Sequence, residues 1–321
     1  MMKIVYMGTP DFAVAPLNAL IEAGYEITAV ICQPDKAKGR SAEPVPCPVK
    51  EAALAHGLRV FQPTRIKRPE AVEELRGMEA DIFVVAAFGQ ILSEEILEMP
   101  KYGCVNIHAS LLPKYRGAAP IQWAVLNGEE KSGVSIMQMD VGIDTGDILL
   151  QKELLLAPDE TGGSLFDRLA KLGAEAIVEA LPLLEAGKLQ PRKQDEALSS
   201  HVGMLTKEDG HINWSLGAAE IERRIRGLDP WPGCYTFFRG KQLKLWRAEV
   251  LRGSVGENRI AGGPGKIVSV SKEYFDVACG EGILRIRELQ LEGKKRLSCA
   301  EFLRGMKPEC GEILDGEGSE R

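Results

Sequence analysis

Cys104-Val-Asn-Ile-His-Ala-Ser-Leu-Leu-Pro-Lys-Tyr-Arg-Gly117 begins as a short apolar run and ends as a loop of Ser, Pro and Gly. Successive side chains of a β-strand point to opposite faces, so Asn106 and His108, two apart, leave on the same one. A strand that ends in polar side chains and runs into such a loop suits the carboxyl edge of an open α/β sheet, where ligands bind. A second apolar stretch, Gly133 to Met139, leads into Asp-Val-Gly-Ile-Asp-Thr-Gly-Asp147 and carries Asp144 on a Gly-rich loop. An amide, an imidazole and a carboxylate from two strand ends can therefore meet over one reacting carbonyl.

The chain before this stretch alternates strand and helix. Lys3–Met7 is a β-branched run that stops at Gly8-Thr-Pro, and Asp11–Ala23 follows with helical spacing and Gly24 as its stop. Strands are expected at Ile27–Ile31 and Arg59–Phe61, and helices at Val49–His56 and Pro69–Met78. Ala80–Phe88 is almost unbroken in its apolar residues, as a central parallel strand buried on both faces must be. Beyond it, Pro120–Leu126 reads as a helix and Ile148–Leu155 as a strand. Thr161–Gly187 reads as a long helix, with Thr161 or Ser164 as N-cap and Gly187 past its end. Residues 1–188 are thus expected to form an α/β domain: a doubly wound, mainly parallel, Rossmann-like sheet. Gly8-Thr-Pro-Asp-Phe is not Gly-x-Gly-x-x-Gly, so a dinucleotide site lacks its fingerprint.

Residues 189–205 are polar and aperiodic, and are expected to be a linker. Over 206–314 the pattern changes. A strand fragment at Ile212–Trp214 and a helix at Ala218–Ile225 precede strands at Tyr235–Phe238, Leu243–Leu251, Lys266–Val270, Tyr274–Ala278 and Gly282–Leu291. A closing helix, Ser298–Arg304, has Ser298 as its N-cap. Short strands set off by Gly turns suggest a small, partly open β-barrel. Residues 315–321 are expected to be a frayed tail.

The chemistry is narrowed by residue type. Asn106 offers amide donors to a developing oxyanion. His108 exchanges a proton near neutral pH, and a neighbouring carboxylate orients an imidazole and favours its charged form. No Ser lies in a Gly-x-Ser-x-Gly elbow, so the set suits direct acyl transfer rather than an acyl-enzyme. The plainer reading, a polar strand end with Asp144 in an Asx turn, stays open at this point. The seven Cys show no Cys-x-x-Cys pair, which fits a reducing cytoplasm and no zinc site. The opening residues carry no signal-peptide pattern, and the apolar run Ile82–Phe88 is far short of the ~20 residues of a membrane span. A soluble, cytoplasmic protein is expected. Net charge is −6, but residues 205–307 hold 19 basic against 13 acidic side chains, a pointer to a polyanionic partner. Residues 33–48 form a proline-rich stretch whose Lys36, Lys38 and Arg40 can reach a phosphate. Arg223 and the Lys294-Lys295-Arg296 cluster are further candidate contacts to such a polyanion.

Four groups of residues carry a resemblance: Asn106-x-His108, Ser110-Leu-Leu-Pro113, Tyr115-Arg-Gly-Ala-Ala-Pro-Ile121 and Met137-Gln-Met-Asp-x-Gly-x-Asp-Thr-Gly-Asp147. Together they resemble the 10-formyltetrahydrofolate-dependent formyltransferases, over nearly the whole chain from Gly8-Thr-Pro-Asp-Phe12 to Trp231-Pro232. Ala118-Ala-Pro-Ile-Gln122 and the long Met-Gln-Met-Asp run point more narrowly to the branch that acts on methionyl initiator tRNA. The resemblance implies that Asn106, His108 and Asp144 are the catalytic trio. It implies that Ser110, Leu111, Leu112 and Pro113 hold the folate, and that Phe88, Gly89, Gln90, Ile91 and Leu92 line its pterin pocket. It also implies that the 33–48 stretch touches the tRNA acceptor arm and that the second domain is an oligonucleotide-binding-like barrel. Ser41-Ala-Glu43 departs from the more basic wording common there. The expected donor is 10-formyltetrahydrofolate, the acceptor the methionyl α-amine, with no metal and a monomeric enzyme. A formyltransferase acting on an amino sugar nucleotide, and a non-catalytic folate or RNA-binding module, are the alternatives. The complete trio argues against the second, since binding alone needs no His and Asp converging on a carbonyl.

Overall fold

The computed structural model describes residues 2–37, 43–251 and 263–315. The chain divides into two compact units. One comprises Met1–Ile121, Lys131–Leu155 and Leu165–Gly203; the other comprises Gln122–Glu130, Leu156–Ser164 and Met204–Arg321.

The first unit is built on strands β1 (Lys3–Gly8), β2 (Glu26–Ile31), β3 (Lys36–Ala37), β4 (Pro44–Val45), β5 (Val60–Phe61), β6 (Ile82–Ala86), β7 (Cys104–His108), β8 (Arg116–Gly117), β9 (Lys131–Gln138), β10 (Ile148–Leu155) and β11 (His201–Val202). Its helices are α1 (Val14–Glu22), α2 (Pro48–Ala55), α3 (Pro69–Arg76) and α4 (Glu94–Leu97), while α5 (Pro120–Leu126) and α6 (Gly162–Glu185) each have residues in both units. Seven strands form one sheet in the order β10-β9-β7-β6-β1-β2-β5. The pairs from β5 through β7 are parallel; β9 runs antiparallel to β7, and β10 antiparallel to β9. The expected mainly parallel, doubly wound sheet is present.

All five residues of β6 are buried, because helices cover both faces of the sheet. On one face Val5, Met7, Ala29, Ile31, Phe83 and Val85 pack with Val72 and Leu75 of α3 and Ile96 and Leu97 of α4. On the other, α6 comes so close to β7 that a Cβ on Gly173 would lie 2.9 Å from Ile107 Cγ2. The start of α6 is capped by Thr161, whose Oγ1 accepts the Ser164 N–H at 3.0 Å, and Gly187 past its end takes φ +65°.

Two expectations change in detail. The 33–48 stretch contains a small hairpin, with Lys36 opposite Val45 and Ala37 opposite Pro44. Lys50 Nζ closes its base on Asp35 Oδ2 at 2.6 Å. Lys38 and Arg40 lie outside the described residues. The 189–203 segment, aperiodic in sequence, is bonded into the first unit. Arg192 and Ile148 exchange two backbone hydrogen bonds of 2.9 Å, and β11 pairs in parallel with β8.

The second unit carries α7 (Ala218–Gly227), strands β12 (Cys234–Phe238), β13 (Lys241–Val250), β14 (Ile267–Val270), β15 (Phe275–Ala278), β16 (Ile283–Leu291) and β17 (Leu297–Ser298), and α8 (Cys299–Gly305). The strands form one antiparallel sheet, β12-β13-β16-β15-β14 with β17 beside β16, and do not close into a ring among the described residues. Ser298 caps α8 in a capping box with Glu301. The strand expected at Ile212–Trp214 is absent. Only His211 bridges to Tyr235, and Asn213 Oδ1 then accepts the Ser215 N–H at 3.0 Å, an Asx turn that bends the chain away. Trp214 is instead a buried core residue, with Nε1 donating to Thr236 Oγ1 at 3.1 Å. No helix among the described residues is long and apolar enough to cross a membrane.

Two measurements test this packing. A Cβ on Gly133 of β9 would sit 2.2 Å from the Lys152 carbonyl oxygen of β10. Gly133→Ala is therefore expected to destabilise by about 1–3 kcal/mol in urea unfolding, since backbone must move. Burial pushes the thiols of Cys104, Cys234 and Cys279 up to about 12 and that of Cys299 up to about 11. The thiolate is the reacting form. A disulfide reagent at pH 8 should therefore label exposed Cys310 rapidly and those four only after unfolding.

Candidate active site

The period-two alternation of β7 divides its side chains. Cys104 packs in the core beneath the sheet's carboxyl edge, and Asn106 and His108 follow on the same face, nearer that edge. Asn106 lies opposite Val85 of β6 and Met137 of β9, and His108 lies opposite Ser135. Asp144 enters from the loop between β9 and β10 with φ +55°. It brings Oδ1 to 3.4 Å from Asn106 Nδ2 and Oδ2 to 3.6 Å from His108 Nδ1. His108 is only 6% exposed.

His108 and Asp144 are each held by backbone. His108 Nε2 lies 2.9 Å from the Tyr115 carbonyl oxygen. A carbonyl only accepts, so Nε2 carries the hydrogen and Nδ1 is the nitrogen left facing the carboxylate. Asp144 Oδ2 accepts the Gly117 N–H at 2.8 Å. Gly117 has φ +97°, and a Cβ there would lie 2.6 Å from the Val202 carbonyl oxygen, so β11 can approach only because position 117 is glycine. Arg116, 1% exposed, forks onto Glu196 at 2.7 and 2.9 Å. That pairing holds the Glu196 carboxyl below its ordinary range. Gln194 donates to the carbonyls of Asp144 and Gly146 at 2.8 and 2.7 Å. The sequence reading missed Tyr115, Arg116, Gly117 and Gln194 as parts of the site. The run Tyr115-Arg-Gly, with a positive φ required at its glycine, was the available signal.

An amide, an imidazole and a carboxylate gathered at a sheet edge are equipped for proton handling beside an oxyanion. Comparison with known proteins names the chemistry. Residues 2–181 match the family model described as formyl transferase, and residues 204–307 match that of the formyl transferase C-terminal domain. The chain belongs to the formyl transferase family. It is 53% identical over 313 residues to the methionyl-tRNA formyltransferase of Lachnospira eligens, covering 98% of this chain and 99% of that one. It is 50% identical over 318 residues to that of Geobacter sulfurreducens, covering 99% and 98%. The fold is also that of a solved N-formyltransferase from Helicobacter canadensis, in complex with folinic acid and dTDP-3-aminofucose. The TM-score is 0.67 at 20% identity, covering 92% of this chain and all of that one.

The residues expected to hold folate in this formyltransferase fall into two sets. Ser110 and Leu112 are buried. Ser110 Oγ donates to the Lys114 carbonyl at 2.7 Å, and the Leu112 N–H donates to Ser135 Oγ at 3.0 Å. Leu111 and Pro113 are half-buried. Phe88 and Leu92 belong to the core. Gln90 spends its amide on Pro63 and Ile66, at 3.0 and 2.6 Å. Gly89 is exposed, and Ile91 is 62% exposed. These contacts mark Ser110, Leu112, Phe88, Gln90 and Leu92 as shaping the loops, with Gly89 and Ile91 on their surface. Val141 and Ile143, on the Asp144 loop, add exposed apolar surface that the sequence reading did not single out. A recess of about 700 Å³, lined by Leu75, Phe83, Glu94, Glu98 and Met99 among others, shares no residue with the trio.

The expected tRNA contacts divide likewise. Lys36, Lys294 and Lys295 are exposed. Arg223 donates from Nε to the Leu126 carbonyl at 3.2 Å. Arg296 pairs with Glu288 at 2.6 Å and lies 4.9 Å over the Trp246 ring. Among the described residues, no group of three or more His, Cys, Asp or Glu is gathered as a metal would need.

Gly117→Ala should separate β8 from β11. Lower thermal stability is expected, together with faster hydrogen exchange at Ala118, whose N–H donates to the Val202 carbonyl at 3.0 Å.

Proposed function

We propose that this formyltransferase moves the formyl group of 10-formyltetrahydrofolate to the α-amine of methionine on initiator tRNA. The observation that carries this reading is the convergence of Asn106, His108 and Asp144 at one sheet edge. It occurs in a chain about half identical, end to end, to proteins named for that transfer.

The residues divide the work as follows. The neutral amine attacks the formyl carbon, and the carbonyl π electrons move onto oxygen. The Asn106 amide is a preorganised donor to that oxyanion, and His108 donates to it from Nδ1 once that nitrogen carries a proton, since Nε2 is bonded to the Tyr115 carbonyl. Asp144, held by the Gly117 N–H, orients the His108 ring and steadies its charged form. The attacking nitrogen gives up a proton through His108 and Asp144, and the folate nitrogen N10 receives one as its bond to the formyl carbon breaks. Formylated amine and tetrahydrofolate leave, with no net proton released.

Residues 1–188 serve as the folate-binding catalytic domain in this reading, and residues 206–314 as the tRNA-binding domain joined through 189–205. Lys36, Lys38, Lys294 and Lys295, with Arg40, meet backbone phosphates. Arg223 and Arg296 support the surface that does so. Binding through phosphates gives an affinity that falls steeply with salt. The enzyme works as a monomer in the cytoplasm, where charged tRNA is made.

Asn106→Ala, His108→Ala and Asp144→Asn are each expected to lower kcat by ~10²–10³-fold while leaving the KM for the folate donor within about threefold. Acceptor choice is the decisive assay. The labelled formyl donor is offered with charged initiator tRNA or with an amino sugar nucleotide, and transfer confined to the sugar would refute the reading.

A further inference from the structure

The Gln190–Glu196 run has no periodicity, yet within it Gln194 is bonded to the loop that presents Asp144. Gln194 is the centre of this arrangement. Its amide nitrogen has two hydrogens, and both are used, on the Asp144 carbonyl at 2.8 Å and on the Gly146 carbonyl at 2.7 Å. Its amide oxygen accepts from Arg116 Nε at 3.0 Å. Arg116 is buried and is itself fixed by the Glu196 fork.

We propose that Gln194, oriented by Arg116, is a positioning residue that sets the Asp144 carboxylate for formyl transfer. This rests on the catalytic reading of Asp144 given above. Three observations converge on it. First, Asp144 sits at φ +55°, a conformation that an L side chain adopts at a cost and that persists only where its surroundings impose it. Second, the loop's own hydrogen bonds do not supply that constraint. Asp140 Oδ1 accepts from the Gly142 N–H at 3.0 Å and from Thr145 Oγ1 at 2.6 Å, which ties the loop tip and leaves the Asp144 carbonyl to Gln194. Third, both amide hydrogens of Gln194 are engaged by protein and its oxygen already accepts from Arg116, so it has no donor left for a substrate. It acts through Asp144 and touches nothing that reacts.

The same arm reaches the other side of the trio. Gly117, whose N–H holds Asp144 Oδ2, is the residue after Arg116, and the Arg116 N–H donates to the Ser200 carbonyl at 2.8 Å. Ser200 Oγ accepts the N–H of Tyr115, whose carbonyl receives His108 Nε2. Residues 194–202 thus brace both the carboxylate and the imidazole.

The test uses full-length protein, with formyl transfer to charged initiator tRNA as the assay. Gln194→Glu keeps the shape but turns an oxygen on two carbonyl oxygens, and Gln194→Ala removes the donors. Each is expected to lower kcat on the order of 10–100-fold, as sub-ångström misplacement of a catalytic group does, with both KM values within about threefold. In an Asp144→Asn background the same substitutions should change kcat by less than about threefold, because residues acting as one unit are not additive. A second readout is independent of turnover. The chain has four histidines, so ¹⁵N-histidine labelling gives few imidazole signals to assign. Gln194→Ala should move those of His108 and leave those of distant His56 in place. Full kcat in the Gln194 variants, equal losses in both backgrounds, or an unmoved His108 signal each overturns the proposal. Should Asp144→Asn alone keep full rate, the catalytic reading of Asp144 is what has failed, and this proposal falls with it.

Discussion

A carboxylate oxygen of Asp144 and the N–H of Gly117, 2.8 Å apart, join the two loops on which the site depends. One loop follows β7 and carries the carbonyl that holds His108; the other follows β9 and carries the carboxylate. Neither loop is part of the sheet, so neither inherits its rigidity. A charge-assisted hydrogen bond of this kind is roughly twice as strong as a neutral one, and it fixes direction as well as distance. Asn106 and His108 ride on β7 and are placed by its ladder. Asp144 has no ladder and is placed by hydrogen bonds alone.

The constraint explains why position 117 is glycine and why the neighbouring residue is a buried arginine. A backbone N–H can point at Asp144 only if the chain takes a positive φ there and lets β11 pass within contact of it. Arg116 then lies under the loop, and burying a guanidinium is tolerable only when its donors are met. Glu196 and Gln194 meet them. Because Glu196 itself is largely exposed, at 72%, solvent screens this pair, and its contribution is geometric more than energetic.

The second unit shows the same economy with its charges. Its basic excess is real, but several arginines there are already occupied. Arg226 pairs with Glu222, Arg285 with Asp276 beside the Tyr274 ring, and Arg296 with Glu288 beside Trp246. Net charge counts all of these equally, whereas Lys294 and Lys295, in the turn between β16 and β17, are exposed. A count of basic residues therefore overstates the number of side chains open to phosphate, because paired guanidiniums hold strands together.

Much of this molecule is written in short-range pattern. The apolar run of β6, the alternation of β7, the Thr161 and Ser298 caps and the glycine ending α6 depend on residues a few positions apart, and periodicity reports such relations directly. Asn106 and His108 were legible for that reason. The brace was not. Gln194 acts on residues 50 and 48 positions away, and Arg116 on one 80 away. A stretch held by contacts at that range needs no periodicity of its own, so residues 189–205 read as an idle linker. The failed strand at Ile212–Trp214 has a different root, since there one local Asx turn outweighed the apolar character that suggested pairing. Sequence determined the elements and the chemical kinds of side chain at the site. Tertiary structure decided their orientation, because a side chain's direction at a loop is set by whichever distant donors and acceptors folding brings beside it.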